Sequence, residues 1–135
     1  MKTQLSVIIP VFNEEKNIVK LVTLLQKVLI TVTSQYEIIF VDDGSTDNSL
    51  ATIRSLRRKN ARIKYIEFSR NFGHVSALEA GLAHATGQRV VLMDADLQDP
   101  PAIIPKMYKL SLQGFDIVYG IKKKRKESLL RRIAF

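Results

Sequence analysis

A chain of 135 residues, 46% hydrophobic and 25% charged, is sized for one globular domain. It has no cysteine, which excludes disulfides and thiolate metal sites. No apolar run approaches the roughly 18 residues of a spanning helix, and Leu5–Pro10 is too short for a secretory signal core, so the expected chain is soluble or membrane-peripheral and cytoplasmic. The net charge of +8 is uneven: Lys122, Lys123, Lys124, Arg125, Lys126, Arg131 and Arg132 gather in the last fourteen residues, with Glu127 the only acid among them. That run is either a solvated basic end or a patch for anionic lipid headgroups or a phosphorylated acceptor. Nucleic acid is disfavoured, because the tail has one aromatic, Phe135, to stack on bases and the body shows no basic stripe.

Five apolar, β-rich runs follow one another at about 25–30-residue intervals with helical patterns between them: Leu5–Val11, Tyr36–Val41, Ile63–Phe68, Arg89–Met93 and Phe115–Tyr119. That rhythm predicts βα units around a parallel sheet. The near-continuous Val7-Ile8-Ile9 and Val90-Val91-Leu92 fit strands buried on both faces. The first helix is expected from Asn13 as cap, with Glu14 and Glu15 near its positive end and Ile18, Leu21, Val22, Leu25, Val28, Leu29 and Val32 at helical spacing. The second is expected from Ser45 or Thr46, with Asp47 in its first turn. The third spans about Val75–Ala85 and closes on Gly87 as the residue past its cap. The fourth opens at Pro100-Pro101 and runs to Gly114.

Every predicted strand ends in polar or special residues, and in an open α/β sheet ligands bind beyond those carboxyl ends. The fourth strand runs into Asp94-Ala95-Asp96-Leu97-Gln98. If strand geometry persists, Asp94, Asp96 and Gln98 share one face and offer three oxygens, a donor set for a hard divalent cation that holds a diphosphate. Asp42 and Asp43 close the second strand. Either carboxylate could accept the N3–H of a uracil ring, or both could simply cap the following turn and helix. Pro10 and Phe12 offer an apolar wall for a base, or ordinary strand-end packing. Arg70 is a phosphate partner or a solvated loop arginine, and His74, at a helix start beside Gly73, is at most a supporting group. The chain has no G-x-G-x-x-G after its first strand, no G-x-x-x-x-G-K-[ST] and no G-x-S-x-G, so phosphate binding would rest on a metal rather than on a glycine cradle.

Ser6-Val7-Ile8-Ile9-Pro10-Val11-Phe12-Asn13-Glu14-Glu15, Val41-Asp42-Asp43-Gly44-Ser45-Thr46-Asp47 and Asp94-Ala95-Asp96-Leu97-Gln98-Asp99-Pro100-Pro101 together resemble the family 2 glycosyltransferases of GT-A fold. Ser69-Arg70-Asn71-Phe72-Gly73-His74 is similar to the polyprenyl-phosphate branch, which includes dolichol-phosphate mannose synthase. The resemblance implies a Rossmann-like, three-layer αβα sandwich with a mostly parallel central sheet. It implies a nucleotide-sugar-binding domain over residues 1–121 and a basic tail over 122–135 leading towards a missing membrane-proximal region. It places Pro10, Phe12, Glu14, Asp42, Asp43, Asp94 and Ala95 at nucleotide-binding positions, with Phe12 where the family often has Tyr. Asp94 and Asp96 take the catalytic positions and, with Gln98, those that hold Mg²⁺ or Mn²⁺. Arg70, Lys122 and Arg125 become candidates for the acceptor phosphate; Lys122 stands near a position where the family usually has arginine, and lysine lacks the bidentate fork.

The implied reaction is inverting transfer of a sugar, from a UDP-sugar more readily than a GDP-sugar, to a polyprenyl phosphate at the inner face of the membrane. The alternatives are a soluble transferase that glycosylates a glycan hydroxyl and a truncated module that binds nucleotide sugars without turnover.

Overall fold

The computed structural model describes residues 1–121. They form β1 (Leu5–Val11), α1 (Glu15–Val32), β2 (Tyr36–Asp42), α2 (Ser49–Lys59), β3 (Ile63–Glu67), α3 (His74–His84), β4 (Arg89–Leu92), a 3₁₀ turn (Pro101–Ile103) and α4 (Ile104–Leu112). The strands make one four-stranded sheet in the order β3-β2-β1-β4. All three pairings are parallel, with Val11 opposite Asp42, Asp42 opposite Glu67 and Ile8 opposite Leu92.

The alternation of side chains along β1 separates two cores. Val7, Ile9 and Val11 face one side with Ile38 and Phe40, where they pack against Ile18, Leu21 and Leu25 of α1, Ile53 of α2 and Ile104 of α4. Ile8, Ile39 and Val41 face the other side and pack against Ala77 of α3. The result is three layers: α1, α2 and α4, then the sheet, then α3. The close approach of α3 depends on Gly81, where a Cβ would collide with Ile8 Cγ2.

Both central strands are buried along their whole length, which agrees with their near-continuous apolar sequences. Among the polar exceptions, Ser6 and Glu37 are satisfied inside the fold. Glu37, at the amino end of β2, accepts from Ser6 Oγ, Lys64 Nζ, and the N–H and Oγ1 of Thr86. Burial would raise its pKa, but these donors outweigh burial and lower it from 4.5 to about 2.

Several expectations need correction. Phe115–Tyr119 forms no strand among the described residues. A cavity of about 820 Å³ separates this segment from the edge of β4 that is unpaired among the described residues, so its β-rich composition finds no ladder there. A strand needs a partner edge in register, and composition does not carry that information. The first helix is preceded by Glu14, and Asn13 does not cap it; Asn13 stands at φ 54° and bonds a neighbouring loop instead. The second helix starts later, at Ser49, because Asp47 is also engaged across that loop pair. Gly87 does not close α3, which ends on Ala85; it is small because a Cβ there would fall 2.6 Å from the Ser6 nitrogen.

Candidate active site

The carboxyl ends of the strands open into a cleft of about 500 Å³. The end of β1 supplies Pro10, Val11, Phe12 and Glu14, and the end of β2 supplies Asp43. Asn71, Gly73 and His74 enter from the loop after β3, and Asp94, Ala95 and Asp96 from the end of β4. Six of the seven nucleotide-binding positions and both catalytic positions inferred from sequence therefore meet in one space.

The local backbone explains that convergence. Asn13, Glu14 and Glu15 donate their N–H groups to Ser45 Oγ, Ser49 Oγ and Asp47 Oδ2. In return, Asn13 Oδ1 accepts the N–H of Thr46 at 2.8 Å and of Asp47 at 3.3 Å, and Glu15 Oε2 accepts that of Asn48. The two loops at the end of β1 and β2 are thus stitched together by reciprocal bonds, which fixes Phe12 and Glu14 at the cleft. Phe12 stays half exposed as one wall, and Glu14 Oε2 accepts from Asn17 Nδ2 at 2.7 Å.

The paired aspartates at the end of β2 have different surroundings. Asp43 is buried, yet it lines the cleft, and its two oxygens accept the N–H groups of Phe72 and Gly73. Asp42 lies below the cleft lining; its Oδ2 accepts the Ser45 N–H, and its buried Oδ1 has no hydrogen-bond partner among the described residues. Gly44 takes φ +72°, and a Cβ on it would fall 2.5 Å from the Arg70 carbonyl carbon, so the loop after β3 can settle against the end of β2. Arg70 is held over the Phe72 ring, 4.8 Å from its centroid, and does not line the cleft.

Strand geometry does not persist through Asp94-Ala95-Asp96-Leu97-Gln98. The ladder gives out after Met93, whose N–H reaches Ile8 O, and Leu97 turns to φ 63°. The cause is local: Asp96 Oδ1 accepts the Gln98 N–H at 3.0 Å and bends the chain into a turn. Asp94 and Asp96 still share the cleft, but Gln98 is exposed outside its lining, so the three-oxygen face expected from sequence is reduced to two carboxylates. Lys122 and Arg125 lie outside the described residues. Val11, Asn71 and Gly73 line the cleft without having been singled out as site residues; the place of Asn71 depends on the Asp43 and Gly44 contacts, which have no local sequence signal.

No group of three or more His, Cys, Asp or Glu suited to a metal exists among the described residues. Mg²⁺ can also be held by one or two carboxylates together with a ligand's phosphates, without an all-protein cage. Asp94 has a half-exposed side chain, and Asp96 keeps Oδ2 clear of its turn bond, so both can present an oxygen to such an ion.

Comparison with known proteins agrees with this architecture. The chain is 42% identical over 123 residues to the uncharacterized glycosyltransferase YkcC of Bacillus subtilis (strain 168), covering 91% of this chain and 38% of that relative's length. Among solved structures, S. aureus TarS 1–349 in complex with UDP-GlcNAc matches with a TM-score of 0.58 at 28% identity, over 78% of this chain and 32% of that one. Mannosyltransferase PcManGT from Pyrobaculum calidifontis, in complex with GDP-Man and Mn²⁺, matches with a TM-score of 0.59 at 26% identity, over 74% of this chain and 34% of that one. The model of glycosyl transferase family 2 matches residues 6–133, and with the all-parallel sheet and the cleft at its carboxyl edge the chain belongs to that family and has its GT-A fold.

Proposed function

We propose that this chain forms the donor-binding half of a glycosyltransferase that moves a sugar, with inversion, from a nucleotide sugar to a polyprenyl phosphate. The observation that carries the reading is the meeting of Pro10, Phe12, Glu14, Asp43, Asp94 and Asp96 in one cleft at the carboxyl edge of a parallel sheet. Pro10 and Phe12 wall the base. Asp43 rather than Asp42 reads it, because Asp43 lines the cleft and each of its oxygens keeps acceptor capacity beyond its one backbone bond. The solved relatives hold a UDP-sugar in one case and a GDP-sugar in the other; a carboxylate acceptor suits the N3–H of uracil and also the N1–H and N2–H of guanine, and of the two we propose UDP.

Asp94 and Asp96 would hold Mg²⁺ or Mn²⁺ against the diphosphate. When bound, the cation supplies Lewis-acid stabilisation of the charge on the departing nucleoside diphosphate. The acceptor phosphate oxygen bonds the anomeric carbon from the side opposite the leaving diphosphate, and the bond from that carbon to the diphosphate breaks. A phosphate monoester is already anionic, so the step needs no strong protein base. Arg70, beside the cleft residue Asn71, and Lys122 and Arg125 are the basic groups proposed to draw that acceptor in. The same basic run would rest on anionic lipid at the inner membrane face. No helix of the described residues is long and apolar enough to cross a membrane.

Calorimetry of UDP binding with and without Mn²⁺ tests the site: Asp94→Ala abolishes the metal-dependent part, and an unchanged titration refutes the assignment. Offering polyprenyl phosphate and glycan acceptors side by side tests the acceptor. Because the chain spans 38% of its relative's length, a second reading is a module that binds donor without turnover. Product formation by the purified chain, with membranes added and withheld, separates the two.

A further inference from the structure

We infer that His74 is a positioning residue for Asp94, holding one oxygen of that carboxylate so that the other faces the cation. This rests on the donor-site reading above. His74 is the first residue of α3, and its side chain lines the cleft with Nε2 3.6 Å from Asp94 Oδ1.

The surrounding backbone is built to put it there. Asp43 pins the two preceding residues through the N–H groups of Phe72 and Gly73, at 2.7 and 3.1 Å. Gly44 lets the Arg70–Asn71 backbone approach more closely than any side chain would permit. Gly73 takes φ +100° with nothing within 4 Å of a Cβ, so the site demands glycine for its backbone angle and not for space. Gly73 O then accepts the Ala77 N–H and starts α3. These features lie just past β2 and on the loop after β3, yet their common product is the placement of one imidazole against a carboxylate just past the end of β4.

At 3.6 Å the pair is short of a hydrogen bond, and contacts of this type commonly close only when the site is loaded. With its proton on Nε2, the neutral ring donates to Oδ1. Donation fixes the carboxylate's rotation, which Asp94 otherwise lacks at half exposure, and directs Oδ2 to the ion. Asp96 is fixed differently, by the Gln98 N–H on its own Oδ1. The two carboxylates would then each have one oxygen held by the protein and one presented to the cation.

The test uses the full chain with Mn²⁺ and UDP as probes, and GDP in place of UDP if the wild type prefers it. Mn²⁺ affinity is read by electron paramagnetic resonance at saturating nucleotide for wild type, His74→Ala, His74→Gln and Asp94→Asn, and nucleotide affinity is read separately in EDTA. His74→Ala is expected to weaken Mn²⁺ binding about tenfold or more, as loss of an outer hydrogen bond to a ligand does. His74→Gln, whose amide nitrogen can stand near Nε2, is expected to recover most of it, with nucleotide affinity in EDTA unchanged. The inference is overturned if His74→Ala binds Mn²⁺ like wild type while Asp94→Asn does not, if glutamine restores nothing, or if the metal-free nucleotide affinity falls by the same factor. If Asp94→Asn leaves Mn²⁺ binding intact, the donor-site reading fails and the role of His74 fails with it.

Discussion

Asp43 accepts the Phe72 N–H on one carboxylate oxygen at 2.7 Å, a bond that ties the end of β2 to the loop leading into α3. The other oxygen accepts the Gly73 N–H, so a buried carboxylate at the floor of the cleft is also the anchor of one of its walls. Asp43→Asn replaces one acceptor with an NH₂ group facing an N–H donor. We expect a loss of about 1–3 kcal/mol in urea unfolding together with weaker nucleotide binding. A variant that loses binding with unchanged stability would show that Asp43 serves only the ligand.

At the opposite edge of the sheet, Glu37 makes the fold's stability depend on pH. Its folded pKa is about 2 against an ordinary 4.5, held down by Lys64, Ser6 and Thr86 against the effect of burial. A depressed carboxyl stabilises the fold fully above its unfolded pKa, and that contribution drains as pH falls from about 4.5 through about 2. The amount is on the order of 3 kcal/mol. Glu37→Gln should therefore be less stable than wild type at pH 7, with the gap narrowing towards pH 2 in urea titrations. Nucleotide binding at pH 7 should be unchanged, because Glu37 opens β2 and the cleft lies at the other end of the strand. A gap that is constant with pH would remove the carboxylate from the explanation.

Gly81 and Ile8 set the spacing between α3 and the sheet. Adding a methyl group at Gly81 drives it into Ile8 Cγ2, and overpacking of this kind costs about 1–3 kcal/mol. Ile8→Ala leaves a void in the smaller core and costs about 2–5 kcal/mol. The double variant Gly81→Ala, Ile8→Ala should cost clearly less than the sum, because each change relieves the other. Strict additivity in chemical unfolding would mean that the helix shifts to accommodate the methyl group.

What was legible in the sequence followed from local chemistry. The Val/Ile runs mark β1 and β2, because burial on both faces leaves an apolar signature within each run; Val90-Val91-Leu92 has the same composition, yet β4 is an edge strand with Val90 and Leu92 exposed. The convergence of polar groups at the ends of β1, β2 and β4 was legible because a strand end is both a local feature and the place where an α/β sheet presents groups. What was not legible depends on partners remote in sequence. Asn13 looks like a helix cap but is claimed by Thr46, thirty-three residues away. Gln98 looked like a third oxygen ligand until the Asp96 turn took its backbone N–H. Gly87 looked like a helix terminator because nothing near it in sequence reveals the Ser6 backbone packed against it. The distinction between Asp42 and Asp43 likewise rests on Phe72 and Gly73, on a different loop.

The edge of β4 that no strand of the described residues pairs carries the last prediction. Leu92 and Val90 are 49% and 39% exposed although they sit on a strand, and Phe115 and Ile117 across the cavity are 58% and 82% exposed. A strand edge left unpaired by the described residues, beside exposed apolar side chains, favours association with other polypeptide. The purified chain should sediment with a mass that rises with concentration and should bind a hydrophobic dye while folded. Leu92→Lys places a charge on that edge and should suppress both effects with little loss of stability, since the side chain is half in water already. Val19→Lys on α1, 53% exposed and not among the residues lining the cavity, serves as the control and should change neither. Equal suppression by the two variants would mean that net charge, and not the β4 edge, governs association.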